Sequence, residues 1–182
     1  MSLKMKIINI VASIMLLNAF LSSIVHGQST KHLPTINKEI LYKEIDSLSS
    51  QYKYFVVVIF TNYCSGTQYI NLKLKRIDSI TNHQSYFFLC QSSNGKDRGD
   101  MQKIIDLYQF NGENVYLIDE NLYKTKFDHR RQGMLFRNDI CDLCIHTTIG
   151  VPFYIVLDRE KNPLLHFYPT GSWEKVLAAI IQ

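Results

Sequence analysis

The stretch Val56–Ile77, VVVIFTNYCSGTQYINLKLKRI, joins a β-branched apolar run to a lysine-bearing segment through one cysteine, Cys64. The run starts at Tyr54 and reaches Phe60 without a polar interruption. Alternation would mark a strand with one wet face, whereas continuity marks a strand covered on both faces. Beyond Cys64, Ile70, Leu72, Leu74 and Ile77 make no clean stripe. The lysines and Asp78–Ser79 nevertheless favour a helix to about Ile80. A cysteine at such a strand-to-helix junction faces the unpaired N–H groups and the positive end of the helix dipole. Both favour its thiolate. The bland alternative, a small inert residue where the strand stops, stays open.

Working outward, INKEILYKEIDSL places Ile36, Ile40, Leu41, Ile45 and Leu48 at helical spacing ahead of the strand. SYFFLCQSS reads as a second buried strand, broken by the polar loop SSNGKDRGD. Met101, Ile104, Ile105 and Tyr108 then mark a helix, and Val115–Ile118 a short strand. Phe153–Leu157 and Leu164–Tyr168 form a hairpin across DREKNP, with Asn162 and Pro163 as breakers. Ser172 can cap a last helix carrying Trp173, Val176, Leu177, Ile180 and Ile181. This order predicts a layered α/β domain. Between Asp119 and Gly150 periodicity is weak, which predicts a functional insertion or a partly folded segment.

The 182 residues suit one domain, and 46% hydrophobic against 20% charged residues favours a packed core over disorder. Lys4 and Lys6 precede the largely apolar run Ile7–Ile24, and Val25 and Gly27 supply small residues for cleavage before Gln28. Residues 1–27 therefore read as an export signal, with an uncleaved membrane anchor as the alternative. No cysteine follows the run directly, which disfavours a lipid anchor. Residues 28–35 read as a flexible lead-in. Loss of Lys4 and Lys6 would bring the formal charge from +4 to +2, too little to point to nucleic acid or an acidic partner. No G-x-S-x-G, phosphate loop or paired carboxylates are present. His32, His83, His129 and His166 have no spacing that suggests a base or a ligand, and His166 reads as a core or surface strand residue.

FTNYCSGT, IGVPFYIVLD and NPLLHFYPTGSWEKVL, in that order and spacing, resemble the thioredoxin-like superfamily. The resemblance covers 36–182, apart from an insertion at about 124–148. It implies a three-layer α/β fold, a central mixed sheet flanked by helices, with the insertion ahead of a cis-proline strand. It further implies a cis Val151–Pro152 bond that offers backbone to an extended substrate beside Cys64; an ordinary trans proline is the alternative. Tyr63 takes the place of the aromatic residue before the family's first cysteine. The second cysteine is replaced by Thr67, so the site is C-S-G-T, and the usual dithiol cycle is in doubt. Gly66 keeps the turn open, and the Thr67 hydroxyl is expected to donate to the sulfur.

CDLCIH adds Cys141, Cys144 and His146. Three readings stay open: a redox pair, a structural clip, or a metal site built from Cys141, Cys144 and His146. In the implied topology the strands ending at Phe60 and Cys90 are parallel and the strand after Pro152 antiparallel. All four cysteines are thus expected at one edge, with Cys90, Cys141 or Cys144 as candidates for the resolving thiol; alternatively Cys90 is a core residue.

The resemblance implies an exported thiol–disulfide oxidoreductase of the periplasm or cell envelope, serving redox homeostasis. Catalysis falls to Cys64 and Thr67, with Cys141 or Cys144 resolving, and Tyr63, Val151 and Pro152 hold substrate. No cofactor is required, because cysteines carry the electrons. The expected partners are thiols or disulfides of exported proteins and a second redox protein, with no nucleic acid and with membrane contact only through an uncleaved signal. A catalytically degenerate peptide-binding module is the rival.

Overall fold

Val56, Val57, Val58 and Ile59 set the centre of the sheet, because β-branched residues fit a pleated surface buried on both sides. The computed structural model describes residues 33–61, 64–70, 74, 84–91, 114–124, 130–145 and 150–167. The expected signal, the helix near Tyr108, the closing helix with Ser172, and the residues Tyr63 and His146 lie outside them. The elements are β1 (Thr35–Ile36), α1 (Lys38–Leu48), β2 (Tyr54–Phe60), β3 (Gln84–Cys90), β4 (Val115–Ile118), α2 (Arg130–Ile140), β5 (Phe153–Asp158) and β6 (Pro163–Phe167). Short 3-10 turns cover Ser65–Tyr69 and Asp142–Cys144.

The strands form one six-stranded sheet in the order β1-β4-β3-β2-β5-β6. β2 pairs with β3 in parallel, Phe60 opposite Cys90, and with β5 in antiparallel, Ile59 opposite Phe153. Every residue of β2 is buried, as its unbroken apolar run predicts. Alternate residues divide between two faces. Tyr54, Val56, Val58 and Phe60 pack on one side with Ile70, Leu74, Phe88 and Cys90. Phe55, Val57 and Ile59 pack on the other with Leu41 and Ile45 of α1 and Phe136 and Ile140 of α2. Elements on both faces make the mixed sheet the middle of three layers. Among the described residues, no helix is long and apolar enough to cross a membrane.

Three sequence expectations need correction. The lead-in does not run to Thr35: Thr35–Ile36 is a strand beside β4, held by Leu117 N–H donating to Pro34 O and Asp119 N–H to Ile36 O, both at 2.9 Å. Asn37 then caps α1 by accepting from Ile40 N–H at 3.0 Å. In the stretch after Asp119, the described residues include α2 and a 3-10 turn where periodicity was weak. Its helix was hidden because the buried side mixes Phe136 and Ile140 with Gln132, Gly133 and Arg137. In the hairpin, Pro163 begins β6 instead of breaking it, while Lys161 takes the left-handed conformation (φ 68°) beside the Asp158 carboxylate, which accepts from Asn162 N–H at 2.7 Å.

Candidate thiol site at the cis-proline

Cys64 stands at the end of the β2 segment and caps the Ser65–Tyr69 turn with extended backbone (φ −88°, ψ 123°). Its side chain is half-buried and remains a thiol. The Val151–Pro152 bond is cis, and Cys64 Sγ–H donates to Val151 O at 3.1 Å. Antiparallel pairing of β5 with β2 returns Pro152 to the end of the sheet where β2 finishes, so the two meet across 87 positions of sequence. The hydrogen bond is one that only a protonated sulfur can make.

Gly66 has a specific reason to be glycine. A Cβ there would lie 2.8 Å from Pro152 Cδ, and 3.5 Å from both Cys64 Sγ and Val151 O. The turn after the cysteine therefore presses directly on the proline ring. The expected Thr67–sulfur bond is corrected by the structure. Thr67 is buried, its hydroxyl donates to Thr61 O at 2.8 Å, and its N–H donates to Cys64 O at 3.0 Å. A hydroxyl has one proton, and Thr67 spends it tying the turn to the end of β2.

Cys141 and Cys144 form a disulfide with a Cα–Cα distance of 5.3 Å, and both are fully buried. The bond fits both the clip and the redox-pair readings of C-x-x-C. The gathering of all four cysteines does not hold as expected, for Cys90 packs on one face of the sheet and Cys141 and Cys144 on the other. Parity explains this: Cys90 shares its face with Phe60 and Phe88 in the β2–β3 register.

Read from sequence as a plain strand residue, His166 is set by the structure beside the disulfide. One ligand atom from each of Cys141, Cys144 and His166 lies within 4.8 Å of the others. His166 is opposite Ile155 in the β5–β6 pairing, which turns it to the α2 face. Its ring stacks on Phe153 (5.9 Å, 23°), and the Arg137 guanidinium sits 4.9 Å over that same ring. Burial first, then the charge of Arg137, lowers the His166 pKa below its ordinary value. A shallow pocket adjoins both regions, with Val151, Gly133, Gln91, Arg137 and Phe153 in its lining.

A parallel pair, an antiparallel return strand and a cis-proline facing a post-strand cysteine are the arrangement the sequence resemblance implied. The fold is thioredoxin-like. To the four strands β3-β2-β5-β6 the chain adds β4, inserted between β1 and β3.

No family model and no curated protein matches the sequence. Among solved structures, the chain is similar to a thiol:disulfide interchange protein from Bacteroides sp. (TM-score 0.49, 13% identity, 82% of this chain and 85% of that one). It is also similar to the thioredoxin domain of a thiol-disulfide oxidoreductase from Bacteroides vulgatus (0.47, 12%, 72% and 81%). A third is a thioredoxin family thiol:disulfide interchange protein from Chlorobium tepidum (0.47, 14%, 74% and 81%). Similarity at this level assigns no activity to the present chain.

Proposed function

We propose that this protein is an exported thiol–disulfide oxidoreductase that attacks disulfides of other exported proteins through Cys64. One observation carries the reading: the half-buried Cys64 sulfur lies 3.1 Å from the carbonyl of Val151, at a cis Val151–Pro152 bond. An extended peptide that pairs with the Val151 backbone competes for that carbonyl and frees the sulfur. The thiol gives its proton to solvent, and the sulfur attacks one sulfur of the substrate disulfide. A Cys64–substrate bond forms as the substrate S–S bond breaks, and the departing sulfur takes up a proton.

A second thiol must then cleave the mixed disulfide. Thr67 cannot provide it, and Cys141 and Cys144 are tied to each other. That thiol therefore comes from the substrate's own cysteine pair or from a second redox protein. By the sequence resemblance, Tyr63 joins Val151 and Pro152 as a proposed substrate-binding residue. Export is supported by the apolar segment Ile7–Ile24 and by the disulfide, which suits an oxidising compartment.

A degenerate peptide-binding module is the second reading. It is favoured by the Thr67 hydroxyl, which is committed to Thr61 O and does not serve the sulfur. Trapping separates the two. Wild type and Cys64→Ser are mixed with a scrambled, disulfide-bonded exported protein, quenched with acid, and mapped by mass spectrometry. Mixed disulfides at Cys64 in wild type, absent from Cys64→Ser, are expected. Peptide binding without any covalent adduct would overturn the oxidoreductase reading in favour of the module.

A further inference from the structure

We propose that Cys141, Cys144 and His166 form a redox-gated copper(I) site, closed while the disulfide stands and opened by its reduction. The inference is independent of Cys64 chemistry, for the cluster lies elsewhere in the chain and uses none of the same atoms. Three unlike ligand residues converge: their sulfur and imidazole nitrogen atoms lie within 4.8 Å of one another. Two come from a C-x-x-C turn, a spacing that suits ligation of one metal ion by both sulfurs. Cys144 N–H donates to Cys141 O at 3.0 Å, a backbone bond that does not depend on the S–S bond and holds the turn's shape. The third ligand is delivered by a different element, β6, and is oriented by stacking on Phe153.

The ligand set selects the ion. Two thiolates and an imidazole are soft and borderline donors, suited to copper(I) or zinc and unsuited to magnesium or calcium. Among the described residues the set stops at three, which copper(I) accepts as a trigonal site and which is one short of the four that structural zinc takes. Both cysteines are fully buried, and His166 is half-buried. Two thiolates with copper(I) leave one negative charge, and the Arg137 guanidinium stands one ring away, over Phe153.

A dithiol reductant transfers two electrons and two protons to the Cys141–Cys144 bond and leaves as its own disulfide. Copper(I) then replaces the two thiol protons, which pass to solvent, while the His166 nitrogen donates its lone pair.

The test uses the full exported chain carrying Cys64→Ser, which removes the half-buried thiol as a competing ligand. Anaerobic protein, reduced with dithiothreitol and desalted, is titrated with copper(I) against the chromogenic chelator bicinchoninate; oxidised protein is the control. We expect one copper(I) per reduced chain and essentially none per oxidised chain. His166→Gln, which leaves the disulfide in place, is expected to weaken binding by about tenfold or more. X-ray absorption of the loaded protein is expected to give a shell of two sulfurs and one nitrogen. Equal uptake by oxidised protein, unchanged affinity in a His166→Gln protein that keeps a native circular dichroism spectrum, or stoichiometric zinc(II) without copper(I) would each overturn the proposal.

Discussion

Cys64 and Val151, 87 positions apart, are joined by an S–H···O bond of 3.1 Å at the open end of the central strand pair. The contact exists because β5 runs back along β2 and because the peptide after Val151 is cis. It couples the proposed nucleophile to the backbone proposed to hold its substrate, so whatever moves one moves the other.

Gly66→Ala is the substitution that strains this coupling most directly. Its methyl group would sit 2.8 Å from Pro152 Cδ, and the buried proline ring has little room to retreat. Overpacking of this kind costs about 1–3 kcal/mol, and a displacement near 1 Å at a reacting centre is enough for roughly a hundredfold loss of rate. We expect urea denaturation to register the first and the rate of mixed-disulfide formation at Cys64 to fall about tenfold or more. An unchanged rate would show that the proline and the sulfur act separately.

The sheet was readable because β2 and β3 carry near-continuous apolar runs, and the hairpin because DREKNP separates two of them. Cys64 and Pro152 were readable because they flank those strands in a familiar order. Three features escaped for physical reasons. Thr35–Ile36 is too short to have a period, and its place comes from pairing with β4. α2 buries a glutamine, a glycine and an arginine, so its core face looks polar in one dimension. His166 acquires its neighbours only through strand register and through a turn 22 positions earlier, which no local spacing encodes.

The Cys141–Cys144 bond closes a very short loop. In the chain-entropy account a four-residue loop is worth about 2 kcal/mol, provided the native turn is otherwise unchanged. Reduction by dithiothreitol is expected to lower stability by about that amount in metal-free wild type. Cys141→Ala/Cys144→Ala is expected to start lower and to show no shift on reduction. Chemical denaturation with and without reductant measures both.

Two tyrosines make opposite predictions. Tyr123 O–H donates to Asp139 Oδ2 at 2.6 Å and its oxygen accepts from Lys38 N–H at 3.4 Å, so it bonds to both helices. Tyr154 is fully buried, and among the described residues its hydroxyl has no hydrogen-bond partner. Tyr123→Phe is expected to cost about 1–2 kcal/mol, and Tyr154→Phe to be neutral or to stabilise by up to about 1 kcal/mol. Burial raises both phenol pKa values above the usual 10; the Asp139 carboxylate adds to this at Tyr123. A raised folded pKa means stability is intact below pH ~10 and is lost as pH climbs from there toward the folded values. Each Phe variant should therefore flatten part of the alkaline decline in a pH series of denaturation midpoints.

Thr67→Cys tests what the single-thiol site lacks. The two turns are built alike: Cys64 and Cys141 each cap a 3-10 turn, and the N–H three residues on donates back to the capping carbonyl at 3.0 Å in both. In the second turn this arrangement carries a disulfide over a Cα–Cα distance of 5.3 Å. A cysteine at position 67 is therefore expected to bridge to Cys64, at the cost of the Thr67–Thr61 bond, about 1–3 kcal/mol because a buried carbonyl is left without that donor. Thr67→Ser, which keeps the hydroxyl, should retain most of that stability, and Thr67→Val should lose it. With the bridge available, a mixed disulfide at Cys64 has an internal thiol to displace it. Mixed pre-reduced with a disulfide substrate and no added thiol, the substituted protein should release reduced substrate and end oxidised by two electrons at its own 64–67 bridge, while wild type accumulates adduct. Mass mapping that finds no Cys64–67 disulfide would mean that the first turn, unlike the second, points its two side chains apart.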